Sequence, residues 1–350
     1  MSQATAWLLS AYHTESHAGW SRWLTGAISS YDWQLFSLPG RHFRWRIRGN
    51  PLSWLDQLPG HAPDLLVATS MVDLATLRGL RPDLAGTPCL YYFHENQFAY
   101  PRSEGQHHSI DPQMVQLYGA LAAEQVAFNS TYNLESFLSG IELLGKKLPD
   151  HFPKDLSERI REKSQVLPVP IQPVPRADKD SRLIVWNHRW EYDKAPQVFV
   201  DAIELLLKHK TEFRLALLGA RSKPGHPELE RLRKRVPGPW IVADNCLPKK
   251  EYRAVLGKAQ IVVSSAIHEF QGIAMLEAVS AGASPLVPDA LCYPEQYPPT
   301  YRYPPGDAQA LAGTLHHWLT GPMPPAPQVE AFYGQELLPH WQIALSRLLN

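Results

Sequence analysis

Ala259-Gln260-Ile261-Val262-Val263-Ser264, followed by Ser265-Ala266-Ile267-His268-Glu269-Phe270-Gln271 and then Gly272-Ile273-Ala274-Met275-Leu276-Glu277, is the stretch whose reading decides the fold. The apolar opening predicts a buried strand, the polar middle a short loop, and the last segment a helix ending near Gly282. A helix that begins at Gly272, Ile273 and Ala274 has backbone N–H groups with no carbonyl four residues back. Those donors, with the positive end of the helix dipole, favour a bound phosphate. Glu269 falls just before that end and Glu277 more than one turn inside it. A carboxylate beside an anion site has hydroxyl groups as its natural partners, such as those of a ribose or a hexose. The stretch therefore suggests a site for a sugar joined to a diphosphate. The plainer alternative makes Glu269 an ordinary first-turn carboxylate and Glu277 a solvated helix residue.

Working outward, the same alternation fills the chain. Strands are expected at residues 7–11, 33–38, 64–69, 87–93 and 125–128, with helices over 18–29 and 112–123 and helix starts at Asp73 and Asn129-Ser130. The proline-dense run Leu167-Pro168-Val169-Pro170-Ile171-Gln172-Pro173-Val174-Pro175 is the clearest boundary. Beyond it strands are expected at 183–186, 213–218, 240–243 and 261–264, and helices from Pro196, near 249–256 and near 307–319, with a last helical run to Asn350. Strands alternating with helices imply right-handed crossovers and parallel sheets, an α/β fold. The division is residues 1–168, a linker over 169–180, a second domain over 181–325, and a terminal segment over 326–350.

A length of 350 residues fits two domains, and 44% hydrophobic residues supply two cores. A net charge of zero argues against non-specific coating of nucleic acid while leaving room for a local basic patch. Cys89, Cys246 and Cys292 have no metal-ligand spacing and read as reduced thiols in a cytoplasmic protein. Neither a signal peptide nor an apolar run of about 20 residues is found, so no membrane partner is expected.

In open α/β domains, ligands bind at the carboxyl ends of the strands. Ser16-His17, His94-Glu95-Asn96, Asn129-Ser130, Asn187-His188-Arg189 and His268-Glu269 all follow directly on expected strands. Arg189 and Lys194, five residues apart on one loop, can clamp a diphosphate from two sides and do the neutralising work of a metal. The bland alternative pairs Arg189 with Glu191 or Asp193. His94 reads either as a hydrogen-bonded core residue or as part of a polar cluster with Glu95, Asn96 and Gln97. In the run Arg41-His42-Phe43-Arg44-Trp45-Arg46-Ile47-Arg48, cations alternate with aromatics, a composition suited to phosphate backbone and bases. Arg44, Arg46 and Arg48 are the candidate RNA contacts; a solvated basic face is the plain alternative.

These residues resemble a known group. Glu269 and Glu277 resemble the Glu-x7-Glu element of retaining GT-B glycosyltransferases, and Arg189 with Lys194 their basic diphosphate clamp. Tyr92-Phe93-His94-Glu95-Asn96-Gln97, Phe128-Asn129-Ser130, Leu148-Pro149-Asp150-His151 and residues 186–194 look like the tRNA-queuosine mannosyltransferase family, a similarity covering most of residues 7–290. The resemblance implies a GT-B architecture of two Rossmann-like domains with parallel sheets facing an interdomain cleft. The N-domain would bind the acceptor, the C-domain the donor, and the terminal helix would cross back to the N-domain. It implies transfer of mannose from GDP-mannose to queuosine in the anticodon loop of aspartate tRNA, with retained configuration and without a metal or other cofactor. Glu277 would bind the donor ribose and Glu269 the hexose hydroxyls. Gly272, Ile273 and Ala274 would give backbone donors, Arg189 and Lys194 would hold the diphosphate, and His94 would line the sugar pocket. Ser16 and His17 would contribute to donor binding, and Glu95, Asn96 and Asn129 to acceptor binding. The family tends to have a glycine pair before Ser-His, where this chain has Thr14-Glu15. Two other functions fit the residues: a glycosyltransferase for a lipid or small-molecule acceptor, and a non-catalytic tRNA-binding protein.

Overall fold

The computed structural model describes residues 3–101, 109–221 and 225–349, so Asn350, where the last helical run was expected to end, lies outside the described residues. The chain divides into two compact units, Met1–Pro170 with Gly334–Asn350, and Ile171–Tyr333.

The first unit opens with strand β1 (Ala4–His13), helix α1 (Glu15–Ala27), β2 (Tyr31–Pro39), α2 (Phe43–Trp54) and β3 (Leu65–Thr69). Next come α3 (Leu74–Leu80), β4 (Cys89–Phe93), α4 (Asp111–Ala122), β5 (Gln125–Phe128), α5 (Thr131–Gly145), α6 (Leu156–Arg161) and β6 (Ser164–Val166). Every described pairing is parallel, in the order β2-β1-β3-β4-β5-β6. β3 and β4 are buried along their whole length, as continuous apolar runs in a sheet covered on both faces must be. Tyr91 of β4 shows how a helix is seated. Its hydroxyl donates to the Ser70 and Val72 carbonyls at 2.8 Å, and its ring fills the space a side chain at Gly119 of α4 would need.

The second unit contains β7 (Asp180–Trp186), α7 (Pro196–Lys208), β8 (Arg214–Leu217), α8 (Pro227–Arg235), β9 (Ile241–Asp244), α9 (Lys249–Lys258) and β10 (Ala259–Val263). It continues with α10 (Ile273–Ser280), β11 (Ser284–Pro288), α11 (Tyr293–Gln296), β12 (Arg302–Tyr303) and α12 (Ala308–Thr320). The order β12-β11-β10-β7-β8-β9 is that of a dinucleotide-binding sheet, with its reversal between β7 and β10. The middle of the expected linker is pinned to this unit. Val174 N–H donates to Ser280 Oγ at 3.0 Å, and Ala177 N–H to the Gly257 carbonyl at 3.2 Å. The last helix, α13 (Gly334–Ser346), belongs to the first unit, where the buried Trp341 packs on Trp20 and Tyr92.

Several elements depart from the sequence expectations. α1 begins at Glu15, not near residue 18, so Ser16 and His17 sit in its first turn. The arginine-rich run is largely the first turns of α2. β6, β11 and β12 were not expected. β11 carries Pro285 and Pro288; β12 pairs only with Val287 and Pro288, so at Pro285 the strand has β10 as its one described neighbour.

Candidate functional site

The reversal of strand order in the second unit brings the segment after β7 against the segment after β10. Ile267 N–H and His268 N–H donate to the Asp193 carbonyl at 2.9 and 3.2 Å, and Ser265 Oγ donates to the Lys194 carbonyl at 2.8 Å. Ala195 takes a left-handed conformation, φ 43°, and hands over to Pro196 at the start of α7. Gly219, φ 95°, lies so close to the His188 carbonyl that any side chain there would collide with it. Asn187, His188, Arg189 and Lys194 are thereby held at fixed positions on the carboxyl edge of the sheet.

Lys194 is buried. Its Nζ donates to the His268 carbonyl at 2.7 Å and to Glu269 Oε2 at 3.1 Å, and lies 3.3 Å from Asp193 Oδ2. Burial alone would discharge it, but Glu269 and Asp193 outweigh burial and raise its pKa. Burial would also neutralise the acids, yet Lys194 and His188 bring Glu269 down to about 2, helped by hydrogen bonds from Lys194 and the Gly272 amide. Asp193 falls to about 2 against the same burial penalty, through His268 and Lys194. His188 is buried beside Lys194 and is pushed down to about 4, so it is neutral at pH 7. Arg189 stays 54% exposed, 3.2 Å from Glu191 and 4.0 Å from Asp193. The ion pair with Glu191 that the sequence allowed is thus present, and it leaves the guanidinium at the surface.

Glu277 lies on α10, where Tyr252 of α9 donates its hydroxyl to Oε2 at 3.3 Å. Asn187 Nδ2 donates to that same hydroxyl at 3.2 Å and to the Ala274 carbonyl at 2.8 Å. Burial and the Glu277 charge raise the Tyr252 pKa, so the phenol remains a donor. Asn187 Oδ1 and His188 Nε2 are buried with no hydrogen-bond partner among the described residues. Gly272 caps α10 in the left-handed region, φ 69°. Its N–H is turned to Glu269, so the amides aimed outward from the first turn begin at Ile273 and Ala274. Tyr252 was not singled out from the sequence, and Asp193 was read there only as a possible partner of Arg189. Tyr252 is one aromatic in an amphipathic run, and only its three-dimensional register against Glu277 distinguishes it.

In the first unit His94 is enclosed by aromatic rings. His17 stacks on it at 4.1 Å, and Trp20 and Tyr92 meet it edge-on at 4.7 Å. Burial, then the charges of His17 and His13, hold its pKa well below 6.5. His17 Nδ1 donates to the Tyr12 carbonyl at 2.7 Å, which places its Nε2 toward Glu95 Oε2 at 3.7 Å. His17, His94 and Glu95 therefore form one group. Ser16 is exposed, with Oγ 3.2 Å from Thr14 Oγ1. Thr14, in place of a glycine, is accommodated by Gly40, whose missing side chain gives room to the Thr14 methyl.

Three expected RNA contacts are corrected. Asn96 is fully buried: its Nδ2 donates to Asn133 Oδ1 and Ser136 Oγ at 2.9 Å, and its Oδ1 accepts from the Phe98 and Ala99 amides. Asn129 is buried too, donating to the His94 carbonyl at 2.8 Å and accepting from Asn133 at 2.8 Å. Both amides shape the segment that carries His94 and have no surface left for a nucleic acid. Arg46 is buried because α2 turns residues 46, 47, 50 and 54 inward, while Arg41, Arg44, Trp45 and Arg48 remain exposed. Arg48 also bonds the buried Asp73 at 2.6 Å. Among the described residues no group of three or more His, Cys, Asp and Glu is placed to hold a metal, and no helix is long and apolar enough to cross a membrane.

A family model described as the N-terminal part of tRNA-queuosine alpha-mannosyltransferase matches residues 5–171, and one described as glycosyl transferases group 1 matches residues 181–320. A tRNA-queuosine alpha-mannosyltransferase of Drosophila melanogaster is 33% identical over 330 residues, covering 90% of this chain and 87% of that one. Among solved structures, the apo lipopolysaccharide outer core galactosyltransferase WaaB superposes with a TM-score of 0.67 at 13% identity, covering 98% of this chain and 99% of that one. A sucrose-phosphate synthase of Thermosynechococcus elongatus gives 0.65 at 12% identity, covering 99% and 96%. These likenesses establish the fold, the two Rossmann-like domains of GT-B glycosyltransferases.

Proposed function

The chain belongs to the tRNA-queuosine alpha-mannosyltransferase family, and from that premise we propose that it transfers mannose from GDP-mannose to queuosine in the anticodon loop of aspartate tRNA, retaining the anomeric configuration. The observation that carries the donor half is the convergence of Asn187, Lys194, Tyr252, Glu269 and Glu277 at the strand-order reversal of the second unit. Glu277, oriented by Tyr252, accepts hydrogen bonds from the ribose hydroxyls, and the orphaned Asn187 Oδ1 is available beside it. The Ile273 and Ala274 amides and the helix dipole hold a phosphate. Arg189 and Lys194 neutralise the charge that grows on the departing diphosphate, work that a metal does elsewhere. Glu269, ionised throughout the physiological range, orients the hexose hydroxyls.

In this mechanism the acceptor hydroxyl attacks from the face the diphosphate leaves. The departing phosphate oxygen takes the acceptor's proton as the new glycosidic bond forms, and no protein carboxylate is a nucleophile. Neutral His94 lines the sugar pocket as a hydrogen-bonding group. The exposed side of α2, with Arg44 and Arg48, and Arg41 just before it are the contact for the RNA acceptor.

Incubation with queuosine-containing tRNA and GDP-mannose, followed by mass spectrometry of the nucleosides, should show one added hexose. The same tRNA lacking queuosine should give none. Transfer to a lipid or free sugar without RNA would move the acceptor to another class, and absence of product with GDP-, UDP- and ADP-sugars would sink the enzyme reading.

A further inference from the structure

The second unit has a cavity of about 630 Å3 between the extended segment after Ile171 and helix α9. One wall carries Gln172 and Arg176, the other Lys249, Lys250 and Arg253. Among the described residues no carboxylate lines it. Tyr252, which reaches Glu277, and Arg253 are consecutive on α9 and so point about 100° apart. The helix thus offers one face to the donor residues and another to this groove.

We propose that the groove is a second RNA contact, which seats a stretch of the acceptor's sugar-phosphate backbone. The proposal rests on the RNA-acceptor reading and adds to it a surface on the nucleotide-sugar unit. Lys249, Lys250 and Arg253 fall within about one helical turn, some 6 Å along the axis, with Arg176 across from them. Single charges distributed along a wall suit a chain of phosphates, each with one charge, better than one compact anion. The small apolar faces between them, from Pro175, Ala177 and Ala254, suit ribose.

The walls are already built. Gly257 lies so near the Pro175 carbonyl, 2.8 Å from where a Cβ would be, that only glycine lets the segment pack against the helix. Arg253 donates to the Pro173 carbonyl at 2.6 Å and Lys249 to Gln172 Oε1 at 3.4 Å, so two of the cations are held in place before any ligand arrives. Arg176 and Lys250 have no ion-pair partner among the described residues. The local field is positive: burial and then the Arg176 charge bring the neighbouring Lys179 ammonium down to about 8. A polyanion would relieve that field and release its own counterions.

The test is the salt dependence of binding of the full chain to queuosine-containing tRNA, comparing wild type with Arg176→Gln/Lys250→Gln. Loss of two phosphate contacts should lower the magnitude of the log–log salt slope by about 1.4–1.8 and weaken binding at moderate salt. Binding of GDP and the thermal midpoint should be unchanged, since both side chains are exposed. Ala254→Glu, which puts a carboxylate into the groove, should weaken tRNA binding further. Equal affinity and slope for wild type and both variants would overturn the proposal and leave the RNA reading standing. Failure of the wild type to bind tRNA at all would instead remove the RNA reading, and this proposal with it.

Discussion

Lys194 Nζ and Glu269 Oε2 stand 3.1 Å apart, and this ion pair joins the segment after β7 to the segment after β10 where the strand order reverses. Removing one partner strands the other. Lys194→Met should destabilise the chain by about 3 kcal/mol and lower kcat by about 100-fold, whereas Lys194→Met/Glu269→Gln should recover much of the stability and none of the activity. Urea melts and steady-state kinetics check both. The pH dependence follows from the sign of the shifts. Glu269 and Asp193 have depressed pKa values in the fold, so their contribution is present above about 4.5 and lost as pH falls toward 2. The double variant should lose the Glu269 part of that acid sensitivity.

Tyr252→Phe removes the hydroxyl between Asn187 and Glu277 while keeping the ring. Donor KM should rise about tenfold, the equivalent of ~1.4 kcal/mol for one hydrogen bond to a charged group, with kcat little changed. A parallel fall in kcat and an unchanged KM would place Tyr252 at the reacting centre instead.

Gly272→Ala should cost about 1–2 kcal/mol. The backbone there is left-handed, and a Cβ would meet the Tyr293 ring at 3.1 Å. Because the same residue caps α10, titration calorimetry with GDP should show weaker binding as well as a lower thermal midpoint.

Arg44 and Arg46 are two residues apart and should behave oppositely. Arg44→Ala should leave the melting temperature alone and reduce the magnitude of the salt slope of tRNA binding by about 0.7–0.9. Arg46→Ala should lower the melting temperature, because Arg46 is buried in the first unit. Its salt slope should match the wild type.

The two parallel sheets were legible because apolar runs ending in polar residues recur along the chain. The position of Glu269 and Glu277 around a helix start was legible for the same reason. The errors have a common physical source. Asn96, Asn129 and Arg46 are polar residues in polar company, and a sequence does not tell a polar side chain that faces solvent from one whose bonds are consumed inside. Asn96 and Asn129 close a buried amide ladder through Asn133, thirty-seven and four residues away in the chain. In the arginine run, alternation with aromatics masked the helical period that turns Arg46 inward. Tyr252 gave no signal, since its partner lies twenty-five residues on.

The return of α13 to the first unit has a consequence for how the chain is made. Trp341 completes the wall behind Trp20 and Tyr92, two of the three rings that close on His94. A ribosome delivers Trp341 only after the whole of the second unit has emerged. The second unit, whose residues run continuously from Ile171 to Tyr333, is complete in the chain before α13 is added, while the first lacks part of its aromatic box until then. A released chain truncated after Tyr333 should hold a protease-resistant second unit and a first unit still open to cleavage near His94.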